Sequence, residues 1–145
     1  LLSAPKIEDS KGYIWFIGIG GNIYVLNPET AEGEIVSINT DLINPMLKGA
    51  QITALYEDAQ NTFWAGTETG LAKINFEFNS PSKTQVKWYN TNPDDIKALS
   101  YSHVSSIMDD PFDKNILWVA TKGGGLNRLD KSSNTFSHIN ENYEY

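Results

Sequence analysis

The sequence carries few groups with the chemistry of catalysis. His103 and His138 are its two histidines, and they stand 35 positions apart. No His-x-x-His or His-Glu-x-x-His spacing occurs, which is what a zinc site on one element needs. The chain has no cysteine, so thiolate nucleophiles, disulfides and cysteine-held zinc are excluded. Three acidic pairs do stand out: Glu8-Asp9, Glu57-Asp58 and Asp109-Asp110. Two carboxyls roughly 5–9 Å apart can hydrolyse a glycosidic bond. These pairs instead recur along the chain at similar intervals, as a structural turn does. Asp in such a turn accepts bonds from its own backbone amides.

Two further segments invite a site reading. Residues Asp110 to Asn115 are rich in oxygen ligands, but they lack the spacing of a calcium loop and include Phe112. Gly20-Gly21 and Gly123-Gly124-Gly125 resemble phosphate-cradling glycines only in composition. No Lys-Ser/Thr pair or helix start follows them. An apolar strand follows each, so they read as hairpin turns in which glycine supplies a positive φ. The expectation is no catalytic residue, no metal and no cofactor.

The elements that would position these residues come from an internal repeat. Trp15, Trp64 and Trp118 are separated by 49 and 54 positions. An acidic pair precedes each, and a glycine turn and an apolar strand follow each. The downstream strands are Ile23-Tyr24-Val25-Leu26, Leu71-Ala72-Lys73-Ile74 and Leu126-Asn127-Arg128-Leu129. A period near 50 with short strands reads as propeller blades. The fold class is therefore all-β: a β-propeller fragment of about three four-stranded antiparallel blades. The whole of 1–145 forms one partial propeller domain, with blades over about 4–38, 52–89 and 104–139.

In the second unit the predicted strands are Ile52 to Glu57, Thr62 to Gly66, Leu71 to Phe76 and Gln85 to Tyr89. The third unit predicts Val104 to Met108, Ile116 to Ala120, Gly125 to Leu129 and Thr135 to Ile139. The first predicts a short innermost strand over Ala4 to Ile7, limited by Pro5, which lacks an amide donor. Tyr13 to Gly18, Asn22 to Leu26 and Glu34 to Ile38 complete it. The turn from Asp110 to Trp118 spans eight positions against six from Asp58 to Trp64. Two long linkers join the units, from Asn39 to Gln51 and from Asn90 to His103. Leu42, Ile43, Met46 and Leu47 in the first, and Ile96 and Leu99 in the second, are expected to plug the blade ends. Pro45 and Pro93 also lie in them.

Composition agrees with one globular domain. The chain has 145 residues, 40% hydrophobic and 20% charged. Its net charge of -7 opposes non-specific contact with nucleic acid or an anionic membrane surface. No apolar run is long enough to span a bilayer. Leu1 and Leu2 are followed at once by Ser3, Ala4, Pro5 and Lys6, too short for an apolar targeting core.

A four-stranded blade has two faces and cannot cover both, so blades stack around an axis. Trp15, Trp64 and Trp118 are expected to fill the contacts between blades. Each can remove roughly 150–250 Å² of apolar surface from water. Propellers usually need at least four blades. Three leave an apolar face at both ends, which calls for the rest of a larger propeller or a second copy completing a six-bladed ring.

The units resemble the two-component regulator propeller repeat. Its pattern runs from an acidic turn into a tryptophan strand ending in glycine and threonine, then a Gly-Gly-Leu turn and an arginine-leucine-aspartate end. Trp64, Gly66, Thr67, Gly70 and Leu71 carry it in the second copy. Trp118, Thr121, Gly124, Gly125, Leu126, Arg128, Leu129 and Asp130 carry it in the third. Asn92-Pro93-Asp94-Asp95, leading to Leu99-Ser100, is similar to the family's linker. The first copy departs most, with Trp15-Phe16-Ile17-Gly18-Ile19, and Ala120 replaces the glycine in the third. The resemblance implies a periplasmic or extracellular sensory portion of a membrane-anchored bacterial signalling protein, commonly a hybrid histidine kinase. It implies a carbohydrate ligand for many members. Kinase and phosphorelay parts would lie outside these residues.

If ligand reaches this part, the propeller mouth is where it would do so. The turns and linkers there point to Asn22, Glu68, Tyr101, His103 and Lys122, with Tyr101 as the aromatic platform a sugar needs. Trp88, on an outer strand, reads as blade packing or a protein contact. The expected function is non-catalytic ligand sensing. The alternatives are a glycan-active propeller enzyme, which would need a convergent carboxylate, histidine or metal cluster near the axis, and a protein-interaction scaffold.

Overall fold

The structure is a computed structural model that describes residues 4–18, 22–36 and 51–139. Among them, twelve strands form three antiparallel sheets of four strands each, ordered as simple meanders. Blade 1 contains β1 (Lys6–Glu8), β2 (Ile14–Ile17), β3 (Ile23–Asn27) and β4 (Glu32–Val36). Blade 2 contains β5 (Ile52–Glu57), β6 (Phe63–Thr67), β7 (Gly70–Asn75) and β8 (Gln85–Tyr89). Blade 3 contains β9 (Val104–Asp109), β10 (Ile116–Thr121), β11 (Gly125–Asp130) and β12 (Thr135–Ile139). A single 3-10 turn, Pro81–Lys83, interrupts the path from β7 to β8, and the described residues contain no α-helix. The domain is a partial β-propeller.

Strand register decides which residues meet the next blade. Trp15 lies opposite Ile7 and Val25, and this row faces blade 2. Trp64 lies opposite Tyr56 and Lys73, and this row faces blade 3. We call these the front faces. Side chains alternate along a strand, so Phe63, Ala65, Ala72 and Ile74 form the back face of blade 2. In blade 3 the back face is Ile107, Leu117, Val119 and Leu129.

Two apolar cores result, one per interface. In the first, Trp15 stacks on Phe63 at 3.9 Å between ring centroids and meets the edge of Phe76 at 5.0 Å. In the second, Trp64 packs with Leu117, Val119, Leu129 and Phe136. Both indoles are fully buried. At about 25 cal/mol per Å², burial of each contributes roughly 4–6 kcal/mol as an upper figure.

Trp118 lies half-buried on the front face of blade 3, opposite Met108 and Arg128, with Met108, Leu126 and Ile139 exposed; it holds the position of Trp15 and Trp64, and no described blade stands before this face. Other sequence expectations are corrected. Ile96 is not a plug: it is 84% exposed, whereas Leu99 is buried as expected. The difference lies in the turns at Asp95 and Ala98, which direct Ile96 outward and Leu99 onto blade 3. The innermost strand of blade 1 starts at Lys6, after Pro5, and runs to Glu8. The outer strand of blade 1 begins two residues early, at Glu32, because Ala31 closes the preceding turn with φ 57. Gly20, Gly21, Ile38 and the first linker's Leu42, Ile43, Pro45, Met46 and Leu47 lie outside the described residues.

Candidate functional site

The acidic turns are built alike in all three blades. Asp9 Oδ1 accepts the amides of Lys11 and Tyr13 at 2.9 and 2.8 Å, and Oδ2 accepts the Trp15 indole N–H at 2.9 Å. Asp58 repeats this with Gln60, Thr62 and Trp64 at 2.9, 3.0 and 2.9 Å. Asp110 does so with Phe112, Asp113 and Trp118 at 2.8, 3.0 and 2.9 Å, across the longer turn. One carboxylate thus closes the turn and fixes the tryptophan. Its oxygens are occupied by donors, which is a structural arrangement rather than an acid–base one.

The electrostatics follow from these bonds. Burial opposes ionisation of Asp58. The indole of Trp64, the amides of Thr62 and Gln60 and the ammonium of Lys131 outweigh it and hold the carboxyl below its usual range. Asp110 is held low chiefly by the Phe112 amide and the Trp118 indole. Lys131 Nζ lies 3.0 Å from Asp58 Oδ2 and 3.8 Å from Asp109 Oδ1, with only 6% of its side chain exposed. Asp109 Oδ1 is buried with no hydrogen bond, and the ammonium is the charge it faces. Tyr56 completes this joint: its hydroxyl accepts the Asp109 amide and donates to Asp109 Oδ2, and burial raises its pKa. Position for position, Phe76 stands in blade 2 where Lys131 stands in blade 3, so the first joint is aromatic and the second ionic.

The rim residues occupy the opposite ends of the blades. Tyr101, His103 and Lys122 come together on blade 3. The Lys122 amide donates to the His103 carbonyl at 2.8 Å. The Tyr101 ring lies along the glycine turn, where a Cβ on Gly123 would stand 3.2 Å from Cε1 and one on Gly124 2.6 Å from Tyr101 Cβ. Gly123 and Gly125 have φ of 117° and 73°, so this turn needs glycine for its backbone as well. Tyr101 is 48% exposed, leaving one part of the ring to solvent. Glu68 stands at the place of Lys122 in blade 2, exposed, its amide donating to the Gln51 carbonyl at 3.1 Å. Asn22 sits in the corresponding turn of blade 1, its carbonyl accepting the Gly18 amide at 3.0 Å. The five residues are thus distributed over three turns and the second linker at one end of the blades.

Asn127 is a residue the sequence reading missed. It is fully buried and bonds the Ser100 amide at 3.0 Å and the Val119 carbonyl at 3.3 Å, tying the second linker to blade 3. Its signal was a polar residue among the apolar back-face positions of β11. Ser100 Oγ donates to the Gly124 carbonyl at 2.9 Å and so sets the base of Tyr101. His138 donates from Nε2 to the Ala98 carbonyl at 2.7 Å, a packing role. Trp88 packs against the first core from the back face of blade 2.

A groove of about 420 Å³ runs between the inner strands, lined by residues 4–6, 53–55 and 105–107. β5 and β9 shift register at corresponding places, after Ile52 and Val104. The shifts place Thr53 and Ser105 at this groove, bonded to the carbonyls of Val104 and Ala120. The described residues hold no group of three His, Asp or Glu that could bind a metal, and the oxygens of Asp110 and Asp113 serve their own turn. No described helix is long and apolar enough to cross a membrane.

Comparison with known proteins places these features in context. The family described as two component regulator propeller matches residues 46–69, which include Asp58, Trp64 and Thr67. Histidine kinase P4 of Formosa agariphila is 32% identical over 89 residues, covering 61% of this chain and 6% of that protein. The extracellular domain of a protein described as a hybrid two component system from B. thetaiotaomicron superimposes with a TM-score of 0.75 and 19% identity. That match covers 97% of this chain and 18% of the other. Virginiamycin B lyase from Staphylococcus aureus shares the fold, with a TM-score of 0.65, 16% identity and coverage of 97% of this chain and 42% of the lyase. This chain therefore spans less than half the length of each of these proteins.

Proposed function

We propose that this propeller-like domain, which resembles extracellular sensor regions of hybrid two-component signalling proteins, is a non-catalytic ligand-sensing part of such a region. It would lie on the periplasmic or extracellular side of its membrane. The observation that carries the reading is the family match over residues 46–69, because that segment holds the Asp58–Trp64 unit that all three blades repeat. Similarity to the lyase concerns the fold, and a fold does not fix an activity. The non-catalytic reading is supported by the three Asp carboxylates, whose oxygens are taken up by turn amides and indoles.

The ligand class we favour is a carbohydrate bound at the rim of blade 3. A sugar needs an aromatic face beside polar groups. Tyr101 offers a half-exposed ring, and Lys122 and His103 stand on the same turn and linker. The test is an oligosaccharide array probed with the sensory region that contains this chain, followed by titration calorimetry on any hit. Tyr101→Ala is expected to weaken binding at least tenfold while leaving thermal stability near wild type. Binding that survives both Tyr101→Ala and Lys122→Ala would refute the assignment of the rim. Turnover of the bound glycan to new reducing or unsaturated ends would refute the non-catalytic reading.

A further inference from the structure

The charges of this acidic chain are divided between the two ends of its blades. The turns at Asp9, Asp58 and Asp110 close one end, where Glu8, Glu57 and Asp109 also finish the innermost strands. Glu29, Glu77 and Asp130 lie in or beside the other turns of that end. Asp94 and Asp95 precede Lys97, whose carbonyl accepts the Phe136 amide near the start of β12, again toward that end. At the rim, Glu68 is the one carboxylate among the described residues. Lys122 and His103 stand there on neighbouring strands, next to the paired Thr121 and Val104.

The groove between the inner strands opens toward the same end. It is lined by residues 4–6, 53–55 and 105–107, the first halves of those strands, and begins two residues after His103. Its volume of about 420 Å³ is that of a small-ligand site. Its polar groups fall into two kinds. Thr53 and Ser105 give their protons to the Val104 and Ala120 carbonyls, so toward a ligand they can only accept. Lys6 and Ser106 can donate: neither side chain has a partner among the described residues, and both are exposed. The Lys122 ammonium is likewise exposed and outside any ion pair of the described residues.

We infer that the rim of blade 3 and this groove form one site for an acidic sugar, with the anionic group held by Lys6, Ser106 and Lys122. The inference rests on the carbohydrate reading above and names the class of sugar. Tyr101 supplies the ring face, Thr53 and Ser105 accept from sugar hydroxyls, and the free donors meet the carboxylate or sulfate. The net charge of -7 does not oppose this. Six residues of β9, at about 3.3 Å each, put the rim about 20 Å from the acidic turns. That is more than two Debye lengths at physiological ionic strength, each about 8 Å. Glu8 is nearer to Lys6, two positions on and about 7 Å along β1, and it limits how deep an anion can enter.

Titration calorimetry on the sensory region that contains this chain tests the inference, with galactotriose, trigalacturonate and a sulfated galactotriose as probes. At least one acidic trisaccharide is expected to bind about tenfold tighter than the neutral one at low salt. The margin should narrow as salt rises. Lys6→Gln and Lys122→Gln should each reduce it without changing the binding of galactotriose, and Glu68→Gln should widen it. Whichever acid binds tighter identifies the anion as carboxylate or sulfate. Equal binding of neutral and acidic sugars, still weakened by Tyr101→Ala, would overturn the acidic preference and leave the carbohydrate reading standing. Acid binding that neither lysine change weakens would put the anion elsewhere and overturn the site. Failure of these probes together with every glycan of the array would overturn both the inference and the reading beneath it.

Discussion

Asp58 is the residue whose loss should cost this domain most per atom removed. Its two oxygens serve four donors: the Gln60 and Thr62 amides, the Trp64 indole and the Lys131 ammonium. Asp58→Ala leaves the fully buried Trp64 with an unpaired N–H and leaves Lys131 buried with only Asp109, at 3.8 Å. Removing one member of a buried ion pair costs about 3–5 kcal/mol, and each orphaned neutral donor costs about 1–3 kcal/mol. These terms share partners and do not add, so a total near 5 kcal/mol is expected. At about 3 °C per kcal/mol for a domain of this size, the midpoint should fall by roughly 15 °C. Thermal unfolding followed by circular dichroism and tryptophan fluorescence measures it. Asp9→Ala, which disturbs the same turn without a lysine, should cost less, and Asp110→Ala on the free face least. A loss from Asp110→Ala equal to that from Asp58→Ala would refute the reasoning. The double change Asp58→Asn with Lys131→Met should not recover the loss, because the asparagine amide nitrogen cannot accept from the turn amides or the indole, and Asp109 Oδ1 loses the ammonium it faces.

Other outcomes follow from the same packing. Trp64→Ala should cost about 3–5 kcal/mol in a denaturant titration, and Trp118→Ala clearly less, because its face is uncovered. Gly66→Ala would put a Cβ 2.6 Å from Val104 Cγ1 and 3.3 Å from Ala54 Cβ, so blades 2 and 3 must part; a midpoint within 1 °C of wild type, against an expected loss of about 1–3 kcal/mol, would contradict the contact. Asp58 is lowered in the folded state, so its contribution is full above the unfolded carboxyl value of about 3.9 and is lost as pH falls through the lower folded value. Midpoints measured from neutral pH downward should stay level until about pH 4 and then fall, less steeply for Asp58→Asn.

Much of this architecture was legible in the sequence because propeller blades repeat. Tryptophans at near-equal spacing, each after an acidic pair and before glycine, gave the three sheets, and period-two alternation located their strands. The acidic pairs were legible as turns but not as two separate devices. Nothing in Glu57-Asp58 as a dipeptide says that the second carboxylate turns inward to its own tryptophan while the first reaches back to Ser10. That division depends on the register of neighbouring blades, which are about 50 positions away. Lys131 was invisible for the same reason: it reads as a surface loop residue until blade 2 brings Asp58 to it. Ile96 and Leu99 show the limit within a linker. Both are apolar, and only the hydrogen bonds from Asp95 to Ala98 decide which one faces the core. The rim residues were placed by turn chemistry alone, and Tyr101 gained its specific setting from Gly123 and Gly124, whose missing side chains make room for it.

The two joints differ in a way that matters for a module whose blades are held face to face. In a stacked array each unit gains most of its stability from its neighbours, so every joint has its own tolerance. The first joint rests mainly on Trp15, Phe63 and Phe76, contacts that neither salt nor protons address, beside the exposed Ser10–Glu57 hydrogen bonds. The second places Lys131, Asp58, Asp109 and Tyr56 within one buried network. Such a network specifies its partners, because each group is costly to leave unmatched. It also fixes register: a shift of one residue in β9 would take Asp109 from the Ala59 amide and turn it to the other face. Blade 3 is thereby locked to blade 2 in one alignment, and it is blade 3 that carries Tyr101, His103 and Lys122. Position 131 is therefore best understood as setting where the rim stands relative to the inner strands, with the stability of the joint resting mainly on Trp64 and the apolar back face of blade 3.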